Sequence, residues 1–400
     1  MSLLLLIIGA YLYLPVIGEF YLWYTDNKIP AGNVTLELFF HNLIYSSITY
    51  VIVLVYYSYT RKFYNKIGFS ENIRDGVTLR KILILMTIFF SFVFYFAGYD
   101  YFFRGINRGE IRVGLGIMGF LYTWLFVYAV PLLLYFATII YFSNKKISKL
   151  TLGYIYIIAC ASAISTGYKY TIIYSFIPVL LILTFNKNIV KILLLISPIT
   201  LIVLTTTTKM VMGYDYETAF GFLMHRMTVM AAFGSIGVWN HYPDGADFSE
   251  SIHLLYSLFG GHLNSILFEI DFNSLDALNT NLSRKITYMV YPAWENALSG
   301  VTNVTVTNFG EAIYLFGSFY WIYALACGLI LGAGIHFIMK NLHKGNRIKS
   351  GMWLIYFIAV FLSWLNSTTI FSLISIPVLI YLLMSYLTSL FIFKININIE

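Results

Sequence analysis

The sequence predicts an all-α, polytopic integral membrane protein with about ten transmembrane helices, and three observations carry that expectation. Of the 400 residues, 59% are hydrophobic and only 11% are charged. Soluble domains hold roughly 45–50% apolar and about 25% charged residues, so this chain lacks the charge that a water-facing surface needs. The apolar residues gather into runs close to the ~20 residues that cross a bilayer as a helix. The basic residues, finally, alternate from loop to loop, as they do in membrane proteins. A soluble enzyme, a nucleic-acid binder and a disordered scaffold are thereby excluded, and the net charge of +7 reads as a topology signal. Aromatic residues at 19%, with 34 Tyr and 34 Phe, suit broad interfacial belts.

Taken in order, the runs lie near 3–22, 38–60, 80–99, 117–142, 150–166, 170–185, 189–206, 311–339, 352–366 and 368–390. The first has no basic residue before it and no small-residue cleavage signal, and reads as a retained helix. The fifth and sixth are short and separated only by Gly167, Tyr168 and Lys169, which reads as a tight hairpin at one membrane face. Pro131, Pro178 and Pro377 fall within runs as tolerated kinks. Cys160 and Cys327 sit inside apolar runs, so neither a disulfide framework nor a thiolate metal site is expected. The resulting organisation is a seven-span bundle over 1–206, a large outer segment over 207–310 and a three-span bundle over 311–400.

With the N-terminus placed inside, the loops 61–81, 143–149, 186–191 and 340–351 and the C-terminal tail face the cytoplasm. They hold 16 of the 25 basic residues and only three acids, Glu71, Asp75 and Glu400. The inner side then carries +13 and the outer side −6, as the positive-inside rule requires.

The outer segment 207–310 is long enough to be functional. It holds half of the acids and His225, His241, His253 and His262. Residues 218–239 are apolar around the His225–Arg226 pair, and 252–270 are amphipathic. A re-entrant or interface-lying helix is expected for 218–239, because a full span would carry Arg226 near mid-bilayer at a cost of several kcal/mol.

Arg104, Arg108 and Arg112 fall within nine residues of one outer loop, on the side where positive charge is otherwise scarce. Asp100, Glu110 or lipid headgroups are one set of partners for them. An anionic substrate is the other, since guanidinium is a planar, permanently charged fork that matches phosphate. Arg108 precedes Gly119, and Arg226 precedes Gly237, by eleven residues, about three helical turns. Arg284 in the long outer segment joins the candidate substrate-binding residues, with Gly119 and Gly237. Glu311 opens the eighth run within Asn308-Phe309-Gly310-Glu311. It is either a helix-start carboxylate complementing the dipole or a group that faces the outer cavity as a base or sugar ligand. No Walker loop, HExxH, outer Asp-x-Asp pair or G-x-S-x-G elbow occurs, and charges within the apolar runs are too scarce for an ion-coupled carrier.

These features together resemble the Wzy-type O-antigen polymerases of bacterial inner membranes. The resemblance rests on many spans with a long late outer loop, on the two Arg-x10-Gly patterns, and on the Phe309-Gly310-Glu311 to Phe316-Gly317 run that follows the loop. It implies a GT-C-like membrane glycosyltransferase with both termini cytoplasmic and a periplasmic active site. Such an enzyme moves the growing chain from undecaprenyl pyrophosphate to a lipid-linked repeat unit, without cofactor or metal. Partners implied are the lipid-linked donor and acceptor glycans, membrane lipid and a chain-length regulator, with no nucleic acid. Within this frame Arg108 and Arg226 stabilise pyrophosphate, and His253, His262 and Glu311 are the candidate bases. An O-antigen ligase and a lipid-linked oligosaccharide flippase are the competing readings. Reporter fusions at Lys66 and Lys146 are expected to read cytoplasmic, and fusions at Asn107 and Asp247 periplasmic; a cytoplasmic signal at Asp247 would overturn this topology.

Overall fold

The computed structural model describes residues 2–68, 75–106, 111, 115, 118–143, 148–166, 169–185, 187, 191, 198, 201–202, 204–206, 208–210, 212–271, 274–291, 298, 304–366 and 368–393. Among these the regular structure is helical, with a lone bridge between Ile29 and Gly32. The helices used below are α1 (Ser2–Thr25), α2 (Leu36–Phe63), α3 (Asp75–Phe103), α4 (Met118–Ser143), α5 (Lys149–Ser165), α6 (Lys169–Thr184), α7 (Tyr216–Met227) and α8 (Val229–His241). They continue with α9 (Gly260–Phe268), α10 (Leu282–Val290), α11 (Asn308–Phe316), α12 (Tyr320–His343), α13 (Arg347–Asn366) and α14 (Ile376–Phe393).

Seven stretches among the described residues are long and apolar enough to cross a membrane, or eight if the bent pair α7–α8 counts as one. This is the architecture of a polytopic membrane protein; among the described residues seven or eight of the ten expected spans reach full length. α5 and α6 form where expected but have only 17 and 16 residues, short of the ~20 that a bilayer requires. The run at 189–206 falls largely outside the described residues.

The chain packs into two compact units: Met1–Tyr57 with Asn186–Ala333 and Phe361–Ile376, and Ser58–Phe185 with Gly334–Val360 and Pro377–Glu400. The described residues of 207–310 fall in the first unit, together with the first two helices. The reason is α8. Its residues Ala232, Gly234, Ser235 and Gly237 are small and buried, so neighbouring backbones approach it closely. Gly234 donates its N–H to the Thr305 carbonyl (2.9 Å), and Ser235 Oγ accepts from Thr307 N–H (3.1 Å). The extended stretch 304–307 is fastened on its other side to α10, where Thr287 Oγ1 accepts from Val304 N–H at 2.8 Å.

Local caps define the helix starts: Asp215 accepts from Thr218 N–H (2.7 Å) at α7, and Asn281 from Arg284 N–H (3.1 Å) at α10. α8 lies along the C-terminal half of α1 in the same direction. A Cβ on Gly18 would sit 2.5 Å from Thr228, and Asn240 Nδ2 donates to the Asn33 carbonyl (3.1 Å). α12 likewise follows α2, with Tyr320 beside His41, Gly328 against Ile52 and Gly332 against Tyr56. The C-termini of α1 and α8 and the N-termini of α2 and α12 thus share one end of this unit, called the rim below.

In the second unit, Asp75 and Arg347 form a buried ion pair (2.8 Å), and Arg347 also donates to Ser143 Oγ at 2.9 Å. This joins the starts of α3 and α13 to the end of α4. Tyr135 with Ser350 (2.5 Å) and Trp124 with Ser385 (3.1 Å) add hydrogen bonds from α4 to α13 and α14.

The Gly18 contact is checkable. Gly18→Ala should destabilise the protein by about 1–3 kcal/mol, because backbone faces the new methyl. Gly153→Ala in α5, where nothing lies within 4 Å of a built Cβ, should stabilise by about 0.4–1 kcal/mol. Thermal unfolding in detergent reads both.

Candidate functional site at the rim

Three polar clusters meet the rim of the first unit. The innermost centres on Glu311 in the first turn of α11, which is 2% exposed. Its Oε2 accepts from Tyr323 Oη (2.5 Å) and Trp364 Nε1 (3.0 Å), and its Oε1 accepts from Ile370 N–H (2.6 Å). Both oxygens are thus engaged by buried donors on α12, on α13 and on the turn before α14. Glu311 is thus an internal tie between these elements.

The second cluster joins Tyr242, Glu250, Lys285 and Tyr314. Lys285 Nζ pairs with Glu250 and donates to Tyr314 Oη at 3.0 Å, while Tyr242 Oη donates to Glu250 at 2.7 Å. The ammonium also lies over both rings, 5.4 Å from the centre of Tyr242 and 5.3 Å from that of Tyr314. Burial pushes the Glu250 carboxyl upward, but the hydrogen bonds from Lys285 and Tyr242 and the Lys285 charge outweigh it and hold the group below its usual range. Burial, then the bond to Glu250, pushes the Tyr242 phenol up.

The third cluster is His41 on α2. Its Nδ1 is 2.8 Å from Tyr320 Oη, its Nε2 is 3.7 Å from Glu37 Oε1, and its ring lies 5.3 Å from that of Trp239 on α8.

The residues singled out from sequence distribute unevenly. Arg108 and Arg112 lie outside the described residues. Arg104 belongs to the second unit, where it pairs with Asp100 (3.2 Å) and sits over the Tyr99 ring at 5.4 Å; an internal carboxylate is thus its partner. Arg226 is exposed on α7, over the Phe222 ring at 5.6 Å, and among the described residues no acid lies within ion-pair distance of it. The chain bends by 43° between α7 and α8, so Arg226 and Gly237 do not share a continuous helix face. Gly237 is a packing residue, since a Cβ there would lie 2.6 Å from Ile286.

Gly119 lies in α4, its carbonyl accepting from Thr123 Oγ1 at 2.8 Å. Arg284 is buried, donates to the Leu298 carbonyl, and is held below its ordinary pKa by that burial; it fastens the 298 region to α10. His253 is exposed, with its ring 6.0 Å from that of Tyr256. His262 lies in α9, its side chain outside the description.

Sequence reasoning missed His41, Glu37, Glu250 and Lys285. The spacing Glu37-x3-His41 at the head of an apolar run was a usable signal, because i,i+4 places the two on one helix face. It also missed Glu19, a lone acid in the first run, which is fully buried and accepts from Asn42 Nδ2 at 2.8 Å. Among the described residues no group of three or more His, Cys, Asp or Glu is placed to hold a metal ion. Comparisons of the chain with family models, curated proteins and solved structures return no match.

The Glu250–Lys285 pair gives a pH prediction. A carboxyl whose folded pKa is depressed stabilises the fold above the unfolded value of about 4.3 and loses that contribution as pH falls through the folded value. Wild type should therefore melt above Glu250→Gln at pH 7, and the gap should close as pH drops below about 4.3.

Proposed function

We propose that this chain is a GT-C-like membrane glycosyltransferase of the O-antigen polymerase kind, acting at the outer face of the bacterial inner membrane. It transfers a growing glycan from undecaprenyl pyrophosphate to a lipid-linked repeat unit. The observation that carries the reading is the one-sided polarity of the first unit. Its flanks are apolar helices, while hydroxyl-binding and proton-transferring side chains gather at the rim. An amphiphilic substrate with an apolar tail and a sugar head requires that arrangement, and acceptor activation requires a base near the sugar.

Arg226 supports the reading in a different way. An arginine on an apolar helix calls for an anionic partner, and the partner that fits is a lipid-linked pyrophosphate held by the bidentate fork. Arg226 lies thirteen positions before Trp239 and across the 43° bend, so at 1.5 Å per helical residue the two backbones are at most about 20 Å apart. Arg226 therefore holds the acceptor's pyrophosphate, while the far end of that acceptor's oligosaccharide reaches the rim.

Deletion of the gene tests the function. Lipopolysaccharide carrying single repeat units is the expected product; an uncapped core would indicate a ligase instead. Arg226→Ala should raise the acceptor KM at least about 30-fold, the equivalent of about 2 kcal/mol for a lost charged contact, with the protein level unchanged. Arg226→Lys should recover little, because a point charge lacks the fork. Wild-type kinetics in Arg226→Ala would remove Arg226 from the site.

A further inference from the structure

The geometry points to His41 as the general base that takes the proton from the acceptor hydroxyl, with Glu37 stabilising the imidazolium that results. The inference rests on the glycosyl-transfer reading above and names the group that this reading leaves open.

A base must have a free lone pair, reach the substrate and hold its orientation. Glu311 fails the second condition, since it is buried and held by donors on both oxygens. Glu250 is already engaged by Lys285 and Tyr242. His41 meets all three. Its side chain is 34% exposed at the rim. Its ring is fixed by the Tyr320 hydroxyl at 2.8 Å, by the edge of the Tyr320 ring and by Trp239. The contact with Tyr320 Oη accommodates either ring tautomer; the one that acts as base has Nδ1–H donating to Tyr320 Oη and the lone pair on Nε2. Glu37 Oε1 at 3.7 Å from Nε2 is too distant for a hydrogen bond, so an incoming hydroxyl meets an uncommitted nitrogen.

The step balances without any further reactant. The acceptor O–H bond breaks and its proton passes to Nε2. The oxygen forms a bond to the anomeric carbon of the donor glycan. The bond from that carbon to pyrophosphate breaks, and its electron pair leaves with undecaprenyl pyrophosphate. His41 becomes a cation as this happens, and the Glu37 carboxylate one helical turn away gains attraction in the transition state that it lacks in the ground state. The proton then passes to water and restores the neutral ring. Positioned bases of this kind contribute about 10²–10⁴-fold.

The test uses the full-length protein in nanodiscs, with lipid-linked repeat units extracted from a strain lacking the gene serving as donor and acceptor. His41→Ala should lower kcat by at least about 100-fold. Glu37→Gln, at a side chain 70% exposed, should lower kcat about tenfold or more at unchanged KM, a split that a merely structural role does not produce. The inference stands if both variants lose at least about tenfold in kcat and falls if either loses less. Should His41→Ala fail to assemble, Glu37→Gln decides alone. An inactive wild type would bring down the glycosyl-transfer reading itself, which is distinguishable from active variants in an active wild-type background.

Discussion

The first unit depends on how closely backbones approach α8. Three of its residues, Ala232, Gly234 and Gly237, present a methyl or less, and Ser235 presents one short hydroxyl. In an apolar solvent there is no hydrophobic drive between helices, so close van der Waals contact and hydrogen bonds across the interface do the associating. Both are present here. Gly234 bonds the 304–307 strand directly by its backbone, Ser235 bonds it by side chain, and Gly237 admits Ile286 of α10. Thr228 at the other end meets Gly18 of α1. Once α8 is held on these sides, its C-terminal Trp239 is fixed beside His41, and α10 delivers Lys285 to Tyr314. The positions of the rim groups follow from a run of small side chains.

A second constraint acts on every buried charge. The low dielectric makes an unpaired ion costly, and the chain meets that cost in four ways. Asp75 takes an arginine, Glu250 a lysine and a phenol, Glu311 three neutral donors and Glu19 an amide. The neutral solution at Glu311 joins three stretches far apart in sequence without introducing a second charge. The ion pair at Asp75–Arg347 does similar work at helix ends, where water is closer. His41 is different in kind. Its protein partners leave Nε2 uncommitted, and its carboxylate neighbour sits just beyond bonding distance.

The multi-pass helical character was legible in the sequence, because apolar runs of the right length need no tertiary information. The helix starts at Tyr216 and Leu282 follow from Asp215 and Asn281, whose side chains cap locally. The outer segment was harder. Its apolar stretch at 218–239 suggested a re-entrant or interfacial helix around Arg226; the chain there bends by 43° beside Thr228, as in a broken span or a re-entrant loop, and buries mainly the second half. Thr228 at that bend packs on Gly18, some two hundred residues away, a contact that leaves no local trace in the sequence. The rim was barely visible for the same reason. Glu37 and His41 are readable as an i,i+4 pair, but Tyr320 joins them from 279 positions away. Lys285 and Glu250, 35 apart, look like ordinary surface charges until α10 folds onto α11. The arginines attracted notice because the charge pattern assigns them to the side where basic residues are scarce, yet Arg104 is answered by Asp100 one turn away and Arg284 by a backbone carbonyl.

The distance between Arg226 and the rim decides how labour divides within the proposed reaction. Two unit charges about 20 Å apart interact by only about 0.8 kcal/mol at an effective dielectric of 20. An effect of that size changes a rate by about fourfold, far below what leaving-group stabilisation supplies. In the proposed reaction Arg226 is thus assigned away from the pyrophosphate that departs beside His41. It can hold a second pyrophosphate, the one that stays attached to the acceptor. An acceptor anchored at its reducing end and deprotonated at its other end is measured by the protein. Units that are too short leave the hydroxyl away from the base, and units that are too long pass it. Positioning of this kind is sensitive, since a displacement of about 1 Å can cost a hundredfold in rate. In the reaction proposed above, a fixed separation of anchor and base along α7 and α8 would favour repeat units of one length without any contact that reads individual sugars.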